Sequence, residues 1–586
     1  MFIFFSHTKS DTADEKPGKI RYGGGLIIII VATLILWWVY YASLPTFVWP
    51  FFGTIGICVV ILLFVSAIFD SSLTGKPSIL FIVPLAGLLA FAGRRCSSST
   101  LFHSGSYAKL IGEVETREWT QDVQPKDPKH IRLVPFELAA WLADKQLGSV
   151  TGAIGSQFEV AKEFMTLQMI KGELWYVAPL DYRGFGVWTS AQNAPGYVMI
   201  HGEDPLHPVT VKTDEKYIYM PGAFFDENLE RHLWASGYMW KGLTDYSFEV
   251  DEEGKGFWVV TVFEPTIGWW GKKALGVAII NPVDGKIDFH EMGKIPHWVD
   301  RVVPDDFVTD YITCWGEYSQ GWWNSYWAKN NIIHPLEPSI VYGSDNEPYW
   351  VSDLTSSNKG DDSLVGLMYI NSRTGRAIKY HASGGTDRAV LTAVNNSVAY
   401  MHLHGTSPIL YNVYGKMVSI VPVLGESHTF NGVAIVELDN LQVAYGKDQY
   451  IALREFQQKI SMSGQQIAPN LQHSQKTLEG DVARFASETK GQGTMYFILV
   501  NNENRLFTGS SELSPKLPLT QAGDKVKIEY IETDEDVATM MAFDNLNLQL
   551  NVAADQKAVR EKVEERKSTT KNTSTKDTLE KAPEKN

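Results

Sequence analysis

The sequence predicts an α+β protein in three parts: N-terminal transmembrane helices, tandem helix-plus-antiparallel-sheet modules and a small C-terminal β-barrel. Three observations predict it. Long uncharged apolar runs lie within the first hundred residues. A strand-turn-strand pattern is written twice, as "GVAIINPVDGKIDFH" from Gly276 and "GLMYINSRTGRAIKY" from Gly366. After residue 470 the pattern changes to short strands punctuated by turns.

The chain of 586 residues has room for about three or four domains, and 44% apolar with 20% charged residues is a globular composition. Its net charge of -15 is spread along the chain without a basic block, which disfavours wholesale duplex binding. Cys58, Cys96 and Cys314 form no CxxC pair, so neither a cysteine zinc site nor a disulfide framework is expected.

Residues 1–24 read as a tail and 25–95 as membrane helices. The runs 25–43 and 46–69 carry no charge inside their apolar stretches and are long enough to cross about 30 Å of hydrocarbon. The run 79–93 is shorter and contains Pro84, and a third span is expected there. Lys9, Lys16, Lys19, Arg21 and Lys76 outweigh Arg94 and Arg95, which places the N-terminus in the cytoplasm and the large remainder outside a cell membrane crossed several times. If the third run does not span, the remainder faces the cytoplasm.

Residues 105–460 read as the tandem modules. Upstream of the two hairpins lie "GKGFWVVTV" with Trp258 and "NEPYWVSDL" with Trp350. The same order recurs from Gly172 to Gly196 and from Gly415 to Gly432. Asn281, Asp284 and Gly285, like Asn371, Thr374 and Gly375, supply turn chemistry. Helices are expected over 134–148 with Gly148 as cap, after Asp226 as N-cap, after Pro304, and after Thr386 or Asp387. The closing run Ile280–Ile287 resembles the PepSY-type module, with Ile370–Arg376 the next best match. That resemblance implies a helix packed on a short antiparallel sheet, a location outside the cytoplasmic membrane, a role in binding or restraining partners, and no catalytic residues.

Residues 470–550 hold five short strands, among them "TMYFILVN" and "GDKVKIEYIE", and resemble the OB-fold. Such barrels bind single strands or oligosaccharides; a packing or assembly domain is the other reading. Residues 551–586, rich in Lys, Glu, Thr and Ser, read as a disordered charged tail.

Neither a phosphate-binding G-x4-GK[ST] loop nor a G-x-S-x-G elbow occurs, and no catalytic residue, metal ligand or cofactor is expected. The densest unusual feature is aromatic: Trp298, Trp315, Trp322, Trp323 and Trp327, with Tyr311, Tyr318 and Tyr326 among them. Such rings serve sugar or peptide recognition, or else a core and inter-module interface. The expected function is that of a non-enzymatic membrane-anchored scaffold, with the bilayer and proteins as partners and self-association through its helices. Two alternatives stand beside it: a cell-wall hydrolase or its regulator with a tryptophan-rich binding surface for glycan or peptide, and a cytoplasm-facing protein that binds nucleic acid.

Overall fold

Four glycines, Gly196, Gly276, Gly366 and Gly432, sit at or beside a strand with φ of 145°, 155°, 159° and 150° in the computed structural model. A Cβ would stand 2.1 Å from the Lys212 carbonyl oxygen at Gly196 and 2.0 Å from that of His290 at Gly276. Backbone crosses backbone there, which only glycine allows. The structure describes residues 96–548 apart from 126–129, 150–153, 344, 357–361, 463–474, 491–492, 512 and 532–536, together with isolated earlier residues. These fall into two compact units, one reaching to residue 443 and one made mainly of the residues from 444 onward.

In the first unit, β1 (Val114–Glu118) is followed by α1 (Phe136–Ser149) and an antiparallel sheet of β2 (Phe158–Val160), β3 (Thr166–Ile170), β4 (Glu173–Tyr182), β5 (Tyr197–His201) and β6 (Thr210–Lys212). Then come α2 (Leu229–Ala235) and a four-stranded meander of β7 (Gly242–Val250), β8 (Gly256–Ile267), β9 (Trp270–Ile280) and β10 (Ile287–Glu291). Leu138, Ala139 and Ala143 of α1 share one core with Leu229 and Leu233 of α2, Tyr176 of β4 and Trp258 of β8.

Helix α3 (Asp305–Tyr318) precedes a six-stranded sheet. It contains β11 (Ile333–Pro335), β12 (Ser339–Tyr342), β13 (Pro348–Ser356), β14 (Gly366–Asn371) and β15 (Ala377–His381), with β1 added in parallel beside β15. Side chains alternate across a strand. Trp350, Ile370 and Ala377 face α3 through Phe307, Val308 and Ile312. Val351, Tyr369 and Ile378 face the other way, toward Trp119 and Leu410. Helix α4 (Asp387–Val398) leads to β16 (Ile409–Val413), β17 (Lys416–Leu424) and β18 (Phe430–Glu437).

The two hairpins of the sequence match bond for bond. The amides of Gly285 and Gly375 donate to the carbonyls of Asn281 and Asn371 at 2.9 and 2.8 Å. Tyr219 and Val303 each donate an amide into a hairpin, to Pro282 and Ser372, and each accepts an indole N–H, from Trp258 at 3.0 Å and Trp350 at 2.8 Å. A repeated geometry, with glycine where backbones cross, accounts for the repeated spelling.

In the second unit, α5 (Gln449–Met462) lies against a closed barrel of β19 (Gln475–Lys490), β20 (Gly493–Val500), β21 (Leu506–Ser510), β22 (Lys525–Ile531) and β23 (Val537–Asn545). Their order is β19-β20-β21-β23-β22, with β21 and β23 parallel. Ile498, Phe507, Val526, Ile528 and Met540 fill it.

Several expectations are corrected. The runs 25–43, 46–69 and 79–93, and the tails 1–24 and 551–586, lie outside the described residues apart from isolated positions. Among the described residues no helix is long and apolar enough to cross a membrane. The longest, α1, α3 and α5, have 14 residues each, which is about 21 Å of helix against about 30 Å of hydrocarbon. The fold is therefore given as mixed α+β with several sheets and one closed five-stranded barrel, and the transmembrane part, the bilayer as partner and the multi-pass extracytoplasmic location are withdrawn. Gly148 lies inside α1 and does not cap it. The N-cap of α2 is Asn228, not Asp226, because the Asn228 side chain accepts from the Arg231 amide.

Candidate functional site

The tryptophan-rich segment is held in place by α3. Pro304, Asp305 and Asp306 open that helix, the carboxylates lying at its positive end. Gly316 lets it touch β11, since a Cβ would stand 2.1 Å from the Ile333 carbonyl oxygen. The Tyr311 hydroxyl donates to the Lys272 carbonyl at 2.8 Å. Beyond the helix, Gly321 turns the chain at φ 84°. A single wide helical turn, Asn324–Ala328, follows, closed by the Lys329 amide on the Asn324 carbonyl at 2.7 Å. The Asn324 side chain then grips the backbone of Asn330 twice, at 2.9 and 3.1 Å.

That turn stacks four rings. Trp322, half-buried, lies face to face with Tyr326 at 5.1 Å between centroids and 6° between planes. Trp323 meets Trp322 edge-on at 5.0 Å, and Trp327 meets Tyr326 in the same way at 5.0 Å. Trp323 and Trp327 are 68% and 70% exposed and Tyr326 59%. Three large rings are thus left open to water in one cluster.

Of the five tryptophans singled out in the sequence, the structure brings Trp322, Trp323 and Trp327 together and leaves two elsewhere. Trp298 packs on Phe257 at 5.2 Å beside Val259 and Val277. Trp315 packs against the core under α3, with the Lys379 ammonium 5.6 Å over its ring. Tyr326 is the member to add, and its spacing of four from Trp322 is the signal for it.

A second group of residues, absent from the sequence reading, is buried between sheets. Glu249 accepts from the Asp300 amide at 2.8 Å and from the Ser247 hydroxyl at 3.0 Å, and Gln168 contacts it at 3.3 Å. Asp300 accepts from the Tyr342 hydroxyl at 2.8 Å and the Met169 amide at 3.2 Å. Burial first, and the Asp300 charge second, push Glu249 up to about 8; burial pushes Asp300 up to about 7 against its hydrogen bonds. Asp245 holds the adjoining Arg301 at 2.8 Å. The network ties β3, β7 and β12 to the segment before α3.

No family model and no curated protein matches the chain. Among solved structures it is similar to one described as a glycoside hydrolase, at 11% identity over 48% of this chain and 46% of that one, with a TM-score of 0.17. It is also similar to an endo-arabinase from Bacteroides thetaiotaomicron VPI-5482, at 8% identity over 63% and 94% of the two chains and a TM-score of 0.17. A third is a xylan beta-1,4-xylosidase from Bacillus halodurans C-125, at 9% identity over 66% and 55% and a TM-score of 0.16. The chain spans about half the length of the first and third of these. Likeness this slight assigns neither a fold nor an activity. The PepSY-like and OB-like resemblances are nevertheless withdrawn, because no family model matches. The non-enzymatic membrane scaffold, with its protein partners and self-association, falls with them, since it rests on that resemblance and on spans that no described helix supplies. The nucleic-acid reading falls with the anchor it assumes.

Proposed function

We propose that the protein binds glycan, with the polymer laid across Trp323 and Trp327. One observation carries the reading: two exposed indoles, four residues apart, stand on a turn pinned at both ends by Asn324. A sugar ring offers a flat face of C–H groups that packs on an aromatic face while its hydroxyls stay hydrated. A rigid platform binds such a ligand at low entropy cost. The segment 321–331 contains one cation, Lys329, and no carboxylate, which suits a neutral polymer better than a phosphate backbone.

The reading is of binding. Glu249 and Asp300, neighbouring carboxyl groups of raised pKa, are 0% and 5% exposed and out of reach of a polymer. The test is retention of the full chain on insoluble polysaccharides, peptidoglycan, xylan and arabinan, with Trp323→Ala and Trp327→Ala alone and combined. Retention by the native chain and a loss of about tenfold in the double variant is expected. A native chain that no polysaccharide retains would sink the reading.

A further inference from the structure

On the face of the six-stranded sheet away from α3 lies a cleft of about 300 Å³. That volume is at the small end for ligand sites. Its floor is a row of three tyrosines from neighbouring strands: Tyr349 of β13, Tyr369 of β14 and Tyr380 of β15. Tyr369 lies 6.3 Å from Tyr349 and meets Tyr380 edge-on at 5.0 Å. Arg117 and Asp122 stand on one wall and Asp345 on another.

The polar groups are disposed for a particular chemistry. Arg117 is paired with Glu115 at 2.6 Å and Asp122 at 3.0 Å, and Arg376, also in the wall, is paired with the same Glu115 at 2.6 Å. Three carboxylates, counting Asp345, thus face two guanidinium groups that are already matched. The cleft has no surplus positive charge for an anion. Asp122 accepts from the Tyr380 hydroxyl and Asp345 from the Tyr349 hydroxyl at 3.0 Å. Burial and then the neighbouring carboxylate raise both phenols, Tyr349 up to about 12, so both keep their protons as donors. A carboxylate offers about four lone-pair sites, so each aspartate can accept further hydroxyls.

We infer that this cleft is a second binding site, taking one or two units of a neutral saccharide, with the part-exposed Tyr349 against the sugar ring and Asp122 and Asp345 accepting its hydroxyls. The class of ligand rests on the glycan reading above; the place does not, because the cleft and the tryptophan turn have no residue in common. One chain then holds a polymer at one place and a short stretch or end of it at another.

Calorimetric titration of the full chain with glucose, xylose, arabinose, N-acetylglucosamine and their disaccharides, beside glucuronate and inorganic phosphate, tests this. Binding of a neutral sugar, weakened about tenfold by Asp345→Asn and by Tyr349→Phe but unchanged in the Trp323→Ala, Trp327→Ala double variant, supports the cleft. No neutral sugar bound at millimolar concentration, tighter binding of phosphate or glucuronate, or indifference to both cleft substitutions overturns it. If polysaccharide retention persists while short sugars fail, the cleft is wrong and the platform stands. If short sugars bind and retention fails, the reverse holds.

Discussion

Trp322 and Tyr326 lie face to face, 6° from parallel, so that one half-buried ring carries the other. Trp323 and Trp327 stand edge-on to this pair from the two sides. Support and contact are thereby divided between different residues.

The division gives the first prediction. Trp322→Ala removes a stacked partner, costing about 0.5–1.5 kcal/mol beyond its area, and lowers both the unfolding midpoint and polysaccharide retention. Trp323→Ala and Trp327→Ala, at exposed positions, change stability by no more than about 0.5 kcal/mol and lower retention alone. Thermal melts beside retention assays separate the two, and equal melting losses at Trp322 and Trp323 would contradict the division.

Stability depends on pH through Glu249 and Asp300. Their folded pKa values, about 8 and about 7, lie above the usual 4.5 and 3.8, so the folded state keeps protons that the unfolded chain has released. Their contribution is fully present below the usual values and is lost as pH rises through the folded ones. Urea midpoints should fall between about pH 5 and about pH 8. Glu249→Gln removes the titrating group and keeps an amide oxygen to accept from the Asp300 amide, so the slope should shrink while the fold survives. An unchanged slope would place the titration elsewhere.

Glycine substitutions should divide by backbone geometry. Gly276→Ala puts a methyl 2.0 Å from the His290 carbonyl oxygen at φ 155° and is expected to cost more than about 3 kcal/mol. Gly148→Ala, in α1 with nothing within 4 Å, is expected to gain about 0.5–1 kcal/mol. Chemical unfolding of both variants decides it.

Capping offers a matched pair on α2. Asn228 accepts from the Arg231 amide at 3.1 Å and donates to the Pro221 carbonyl at 2.8 Å, so Asn228→Ala should cost about 1–2 kcal/mol. Asp226→Ala, two residues before that cap, should cost less than Asn228→Ala. Equal losses in unfolding experiments would mean that the cap is shared.

What the sequence made legible is what short spans of chain encode. Asn281 with Gly285 and Asn371 with Gly375 close their own turns, so the hairpins could be read directly. The five barrel strands are equally local. The acid network was not legible: Glu249 sits in "FEVDEEGKG", which reads as a solvated acidic turn, while Gln168, Asp300 and Tyr342 come from distant strands and loops. Trp298 and Trp315 joined the aromatic group through proximity in sequence, although each packs into a different core. The cleft tyrosines belong to strands whose common face is decided only by sheet register.

The parallel pairing of β1 beside β15 bears on how the protein is made. Trp119, at the end of β1, is 1% exposed and donates its indole N–H to the hydroxyl of Tyr369, 250 residues downstream. At roughly 5–20 residues per second, the ribosome takes roughly 12–50 s to supply that partner. For that interval β1 is an open edge with an uncovered indole beside it, a template for other nascent chains. The first described strand waits for a partner made long after it, so a chain that stops before residue 381 leaves its own beginning unfinished.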